Sequence, residues 1–257
     1  APLVADIASA IQTLDCIGDD DGSITATLSS GGVGNVLYSL NTLENGIIVT
    51  TSTTQTSATF HGLKSGNYSI HITDDAGCTY TTSEVWVTDP EPVVGSLFLS
   101  TSLTCDVEAQ LTLSVDGGTP FAGNIYQFST SEAGPFTDMN GGNTHVIDVV
   151  PSTVPYQYYV QDANGCTPIL TNTITINDIV PLTAELDLNG ATINCNGDST
   201  ASISARASGG LGDYIYGLFY DSAMTQVAAP TNTLGYFDNL PQGTYFIGVS
   251  SGDCEWV

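Results

Sequence analysis

Six cysteines are the residues of this sequence best placed to make covalent chemistry, at positions 16, 78, 105, 166, 195 and 254. Consecutive pairs lie 62, 61 and 59 residues apart, and alternate members 88 to 90 apart. Fixed spacing of this kind marks an array of like units. Thiols can hold a metal or pair with one another. No Cys-x-x-Cys or Cys/His spacing suited to zinc occurs, so pairing is the better reading. An even count in a chain almost without lysine points to disulfides formed in an oxidising compartment. The period then selects Cys16–Cys78, Cys105–Cys166 and Cys195–Cys254, one bridge closing each unit. Closing a loop of about 60 residues is worth about 4 kcal/mol in the chain-entropy model.

Carboxylates are the other chemistry-bearing groups. The chain has 27 acidic residues against two basic ones, Lys64 and Arg206, for a formal charge of −25. Hard cations need clustered carboxylates; the run Asp19-Asp20-Asp21 offers one cluster, and Asp74 and Asp75 with Asp89 and Glu91 offer another near an expected unit boundary. The run lacks EF-hand spacing and thins to Asp106 and Glu108 in the second unit and Asp198 in the third, so a solvated turn competes with it. Calcium is the one cofactor suggested, with Asp19, Asp21, Asp74, Asp75, Asp89 and Glu91 as candidate ligands, and none is required. The same charge excludes nucleic acid, since phosphates would go unneutralised, and a basic helix on an anionic membrane. No apolar run approaches the roughly 18 residues of a membrane span. No nucleophile elbow or metal-ligand helix occurs. His61, His71 and His145 have no counterparts in the third unit and read as strand residues. A carboxylate-pair glycosidase would need a cleft that units this short rarely provide, so no enzyme is expected. Asn67-Tyr68-Ser69 fits a glycosylation sequon, but Tyr68 reads as core.

The elements that must position these groups are strands. Short β-branched and aromatic segments alternate in polarity and are broken by Gly, Asn, Asp and Pro. Each unit opens on a proline-led strand, passes its first cysteine and an alternating stretch such as Ser23–Leu28, then a glycine pair (Gly31-Gly32, Gly117-Gly118, Gly209-Gly210). Tyrosine-bearing strands follow, with Tyr38, Tyr126 and Tyr214/Tyr216 early and Tyr68, Tyr156/Tyr158 and Tyr245 late, before the turn that carries the second cysteine. No window supports a helix. The expected fold is all-β: three tandem immunoglobulin-like antiparallel sandwiches, at 1–90, 91–180 and 181–257, one disulfide each. The linkers Asp89-Pro90-Glu91-Pro92 and Asp178-Ile179-Val180-Pro181 are short and proline-stiffened, which favours an extended rod.

The order Cys16, Asp21-Gly22-Ser23-Ile24-Thr25, Gly31-Gly32, Tyr38-Ser39-Leu40, Phe60, Leu63, Gly66, Tyr68, Asp74, Gly77, Cys78 resembles the SprB-type repeat of Bacteroidetes surface proteins. The third unit matches through Cys195, Gly209-Gly210, Phe237, Leu240, Gly243, Tyr245 and Cys254. The second departs, lacking Asp-Gly after Cys105 and placing Val154-Pro155 before Tyr156. The resemblance implies a segment of a very large, repetitive, extracellular adhesin, exported by the type IX system and used in gliding or attachment. It carries over no catalytic residue. Asp198-Ser199-Thr200 and Asp221-Ser222-Ala223 match a short O-glycosylation pattern, making Ser199 and Ser222 candidate acceptors.

Two other functions stay open at this level. One is a carbohydrate-binding sandwich, whose signature would be aromatics on an exposed face, and the recurrence of tyrosines at equivalent places favours core instead. The other is a filament subunit completed by strand donation, because the third unit ends three residues after Cys254, before a counterpart of Glu84–Thr88 or Thr173–Ile176. The opening Ala1-Pro2 suggests a mature or excised piece of something longer. Expected partners are neighbouring repeats of the same polypeptide, with surface polysaccharide or other cells beyond them.

Overall fold

The computed structural model describes residues 2–11, 13–140 and 142–257, and no helix occurs among them. Strands β1 to β8 run Val4–Ile11, Gly22–Ser30, Val36–Glu44, Ile47–Thr51, Thr59–Leu63, Gly66–Asp74, Thr79–Thr81 and Val85–Val87. They form a three-stranded sheet β1-β2-β5 and a five-stranded sheet β4-β3-β6-β7 in which β8 also pairs with β6. All these pairings are antiparallel. Asn45 and Gly46 both take positive φ, +51° and +77°, between β3 and β4. That is the two-residue hairpin turn for which Asn-Gly is suited.

The order recurs twice. Strands β9 to β15 are Val94–Thr101, Ala109–Asp116, Gln127–Ser129, Thr137–Asp138, Thr144–Val149, Tyr159–Gln161 and Ile169–Leu170. They pair as β13-β10-β9 and β12-β11-β14-β15. Strands β16 to β22 are Thr183–Asp187, Ala201–Ser208, Ile215–Phe219, Val227–Asn232, Tyr236–Leu240, Phe246–Ser251 and Cys254–Trp256, pairing as β16-β17-β20 and β19-β18-β21-β22. First, second and fifth strands make one sheet; fourth, third, sixth and seventh make the other. Three blocks of one topology are the tandem immunoglobulin-like sandwiches the period implied.

Side-chain alternation explains the layering. Along β2, Gly22, Ile24 and Ala26 are buried, and along β6 Tyr68, Ile70 and Ile72 are buried with them. Together with Leu14, Phe60 and Val87 they form one core. Leu218, Phe237, Ile247, Val249 and Tyr216 form another in the last block. On β10, Ala109, Leu111, Leu113 and Val115 are fully buried. Each such leucine or valine side chain contributes about 1.5–3 kcal/mol by leaving water. Tyr158 and Tyr216 are buried too, so these tyrosines serve the core, not a binding face.

By compactness the chain divides into two units, Ala1–Ser96 with Ser114–His145 and Tyr158–Thr171, and Leu97–Leu113 with Val146–Gln157 and Asn172–Val257.

One tertiary device was marked by sequence period but not understood from it. The Tyr68 hydroxyl donates to the carbonyl of Lys64, four residues upstream at the corner entering β6. Tyr245 donates likewise to Pro241, and Tyr156 to Val150. This matches the tyrosine corner of immunoglobulin-like sandwiches.

Candidate functional site

The cysteines pair otherwise than expected. Cys16 is bonded to Cys166, with Cα atoms 5.6 Å apart and 150 residues between them in sequence. Cys105 is bonded to Cys254, at 5.2 Å and 149 residues. Cys78 and Cys195 carry exposed free thiols. The consecutive pairing Cys16–Cys78, Cys105–Cys166, Cys195–Cys254 is therefore corrected: the first cysteine of one block joins the second cysteine of the next.

Strand direction is the physical reason. In the first block Leu14 N donates to Thr88 O, and Gly18 N donates to Asp89. Because Val87 pairs with Gly66, Cys16 lies at the end where β6 begins. Cys78 follows Asp74, where β6 ends. Eight residue steps at about 3.3 Å put these ends about 26 Å apart, against the roughly 4.4–6.8 Å between the Cα atoms of a disulfide. The last block repeats this, with Cys195 before the Ala201 end of β17 and Cys254 beyond its Ser208 end, beside β21.

Polar contacts accompany each bridge. At the first, Asn164 Nδ2 donates to the carbonyl of Asp15 at 2.8 Å. Asp89 accepts Gly18 N at 2.8 Å, the main cause of a carboxyl pKa below its ordinary value. The Asp15 carboxyl is raised, chiefly by the neighbouring charge of Asp21 and further by desolvation, Asp19 and Asp162. At the second, Asp253 accepts the Thr104 hydroxyl and the backbone N–H groups of Cys105 and Asp106. The Thr104 hydrogen bond leads the causes that lower its pKa. Asp253, Thr104 and Asn164 were missed from sequence, although each lies within two residues of a cysteine.

The six candidate calcium ligands do not converge. Asp74 and Asp75 sit at one end of the first sandwich, and Asp19, Asp21, Asp89 and Glu91 at the other, toward the first bridge. The Asp74 carboxylate is occupied: desolvation opposes its charge, yet donors from Cys78, Val33 and Ala76 outweigh it and lower the pKa. Asp75 accepts from Asn35 N and Nδ2. Asp21 accepts Asp15 N at 3.2 Å, and Asp19 N donates to Cys16 O. Asp19 and Glu91 line an open groove of 460 Å³ beside the first bridge. Among the described residues the only tight cluster of metal-type donors is Cys105, Asp253 and Cys254. Two of its members are the sulfurs of a disulfide, which leaves no thiolate to ligate.

The remaining candidates are quickly placed. Ser199 is exposed in the turn before β17, and Ser222 is exposed in the turn after β18. There Asp221 caps Thr225 and Gln226. Asn67 of the sequon is 3% exposed and donates to Glu84. His71 bonds Thr81, and the His145 ring lies 4.6 Å from that of Phe128.

Tandem immunoglobulin-like sandwiches cross-linked from block to block are thus the class of protein defined here. Residues 8–45, spanning most of β1 through β3 and the Cys16 turn, match the family model of the SprB repeat. That match supports a SprB-type repeat region in the first block. No curated protein matches it. Among solved structures it is similar to three N-terminal domains of the Highly Immunogenic Outer Capsid protein of bacteriophage RB49 (13% identity, 95% of this chain, 86% of that one, TM-score 0.48). It is also similar to the fibronectin(III)-like modules of Clostridium thermocellum CbhA (13%, 68%, 94%, 0.30) and to a tetra-tandem repeat from the extending region of a large adhesion protein (13%, 98%, 74%, 0.28). At these identities and TM-scores the likenesses carry no function to this chain.

Proposed function

We propose that this chain is a non-enzymatic, extracellular segment of the stalk of a repetitive surface adhesin, serving attachment or gliding, with three repeats at 1–90, 91–180 and 181–257. The observation that carries it is the staggered cross-link: Cys16–Cys166 and Cys105–Cys254 tie each repeat to its neighbour. Disulfides suit an oxidising exterior. Covalent ties between successive repeats suit a spacer whose units must stay in series. The SprB match at 8–45 supports the same reading. The acidic surface, −25 in formal charge, keeps such arrays soluble and opposes their side-by-side aggregation. Exposed Ser199 and Ser222 are proposed as glycan acceptors. Antibody against this segment is expected to label intact cells of the source organism. Deletion of the segment should impair surface attachment or movement. Labelling seen only after permeabilisation overturns the reading.

A second reading, glycan binding, has one observation in its favour. A groove on the last sandwich is lined by Phe219, Met224 and Trp256 over the flat floor of Gly217 and Gly248. Its 190 Å³ is small beside the roughly 300–1,000 Å³ of ordinary ligand sites, so the stalk reading leads.

A further inference from the structure

Both bridges obey one rule of register. The first cysteine of a repeat joins the second cysteine of the repeat that follows, 150 residues on in one case and 149 in the other. Under that rule the two unpaired cysteines are not equivalent leftovers. Cys195 is a first cysteine and Cys78 is a second cysteine, so they are complementary.

Their surroundings reproduce those of the bonded residues. Asp198 N donates to Cys195 O at 3.1 Å, as Asp19 N does to Cys16 O at 3.2 Å. Gly197 and Gly18 both take positive φ in that turn, +91° and +81°. On the other side, Asp74 accepts Val33 N and Ala76 N just before Cys78. Asp162 accepts Thr119 N and Asn164 N in the same way before Cys166. Both free thiols are exposed. Each is therefore held in the turn that its bonded counterpart occupies.

We propose that Cys78 and Cys195 are the two halves of a third bridge of the same register, formed between this array and another repeat of its own type. In a pair of copies, Cys195 of one chain takes Cys78 of the next. The proposal rests on the stalk reading only in taking repeats to be joined in series. With glutathione disulfide as oxidant, the thiolate of Cys195 attacks one glutathione sulfur and expels glutathione as thiolate. The Cys78 thiolate of the second copy then attacks the Cys195 sulfur of that mixed disulfide and expels the second glutathione. Two thiols lose two protons and two electrons, and one glutathione disulfide becomes two glutathiones.

The test uses the full 257-residue chain with both native bridges intact, incubated in a glutathione redox buffer over a range of protein concentrations. Non-reducing electrophoresis should show a ladder at multiples of 26.7 kDa, and peptide mapping should assign its links to Cys78–Cys195. Cys78→Ser alone and Cys195→Ser alone should each lose the ladder, whereas mixing the two variants should give a dimer and nothing larger. Homotypic Cys78–Cys78 or Cys195–Cys195 links in comparable amount would overturn the proposal, as would monomer carrying glutathione on both thiols at every concentration. The outcome is separable from the stalk reading. A ladder from a protein found away from the cell surface keeps the bridge and loses the stalk; surface labelling without a ladder does the reverse.

Discussion

Asp253 accepts the hydroxyl of Thr104 from 149 residues away in sequence, together with the N–H groups of Cys105 and Asp106. Its own neighbour in sequence, Cys254, is bonded to Cys105. One carboxylate thus gathers the turn that the disulfide then ties. The Thr104 hydroxyl leads the donors that lower its pKa. A depressed carboxyl pKa contributes stability above the unfolded-chain value, and that contribution is lost as pH falls through the folded value. Urea titrations should show the wild-type chain weakening as pH drops below the ordinary aspartate range. Asp253→Asn should be less stable at neutral pH and show a flatter acid limb. Parallel pH curves for the two proteins would remove this role from Asp253.

Disulfide mapping without reduction is expected to recover the pairs 16–166 and 105–254. Thiol titration of the denatured, unreduced chain should find two free groups per chain, at Cys78 and Cys195. Peptides linking Cys16 to Cys78 or Cys195 to Cys254 would restore the consecutive scheme and refute the staggered one.

Tyr68→Phe keeps the ring in the core and removes only the bond to Lys64 O. The expected loss is about 0.5–1.5 kcal/mol by chemical denaturation, with the near-ultraviolet signature of the remaining fold intact. Tyr245→Phe removes the corresponding bond to Pro241. No change in either variant would reduce the corner to a coincidence of packing.

Ile70 is fully buried at the centre of β6. Ile70→Ala is expected to cost about 2–5 kcal/mol, the transfer term plus the cavity left behind. Hydrogen exchange should rise across β2, β3 and β6 and stay unchanged across β17, β18 and β21, whose core is formed by other residues. Uniform acceleration along the chain would contradict separate cores.

Much of the fold was legible because strand alternation is a local property. Ile24, Tyr68, Leu111 and Leu218 announce their burial through neighbours two residues away. Cysteine pairing is not local. A period of 88 to 90 residues is satisfied equally by a bridge within a repeat and by one shifted to the next. What decides is the end of its block that each cysteine occupies: within the first block five strands, β2 through β6, lie between Cys16 and Cys78. Antiparallel strands reverse direction in turn, so an odd number of crossings delivers the two cysteines to opposite ends. The six calcium candidates are parted for the same reason, since Asp74 and Asp89 flank opposite ends of β6. The tyrosine corner was visible as a recurring residue, but its acceptor is fixed by turn geometry: Lys64 and Pro241 lie four residues back, and Val150 lies six back, past the Val154-Pro155 departure.

The two covalent loops overlap between residues 105 and 166. A single peptide bond cut anywhere from 16 to 254 therefore leaves one molecule, because at least one loop spans the break. Tension applied to the two termini also follows a reordered route. It crosses from Cys16 to Cys166, returns along the 61 residues to Cys105, and leaves through Cys254. At about 3.5 Å per residue that route can lengthen to about 210 Å, against about 830 Å for the linear chain. Residues 17–104 and 167–253 join the same two bridged junctions in parallel with the stretch from 105 to 166, so the shortest of the three segments caps how far any of them can be drawn out.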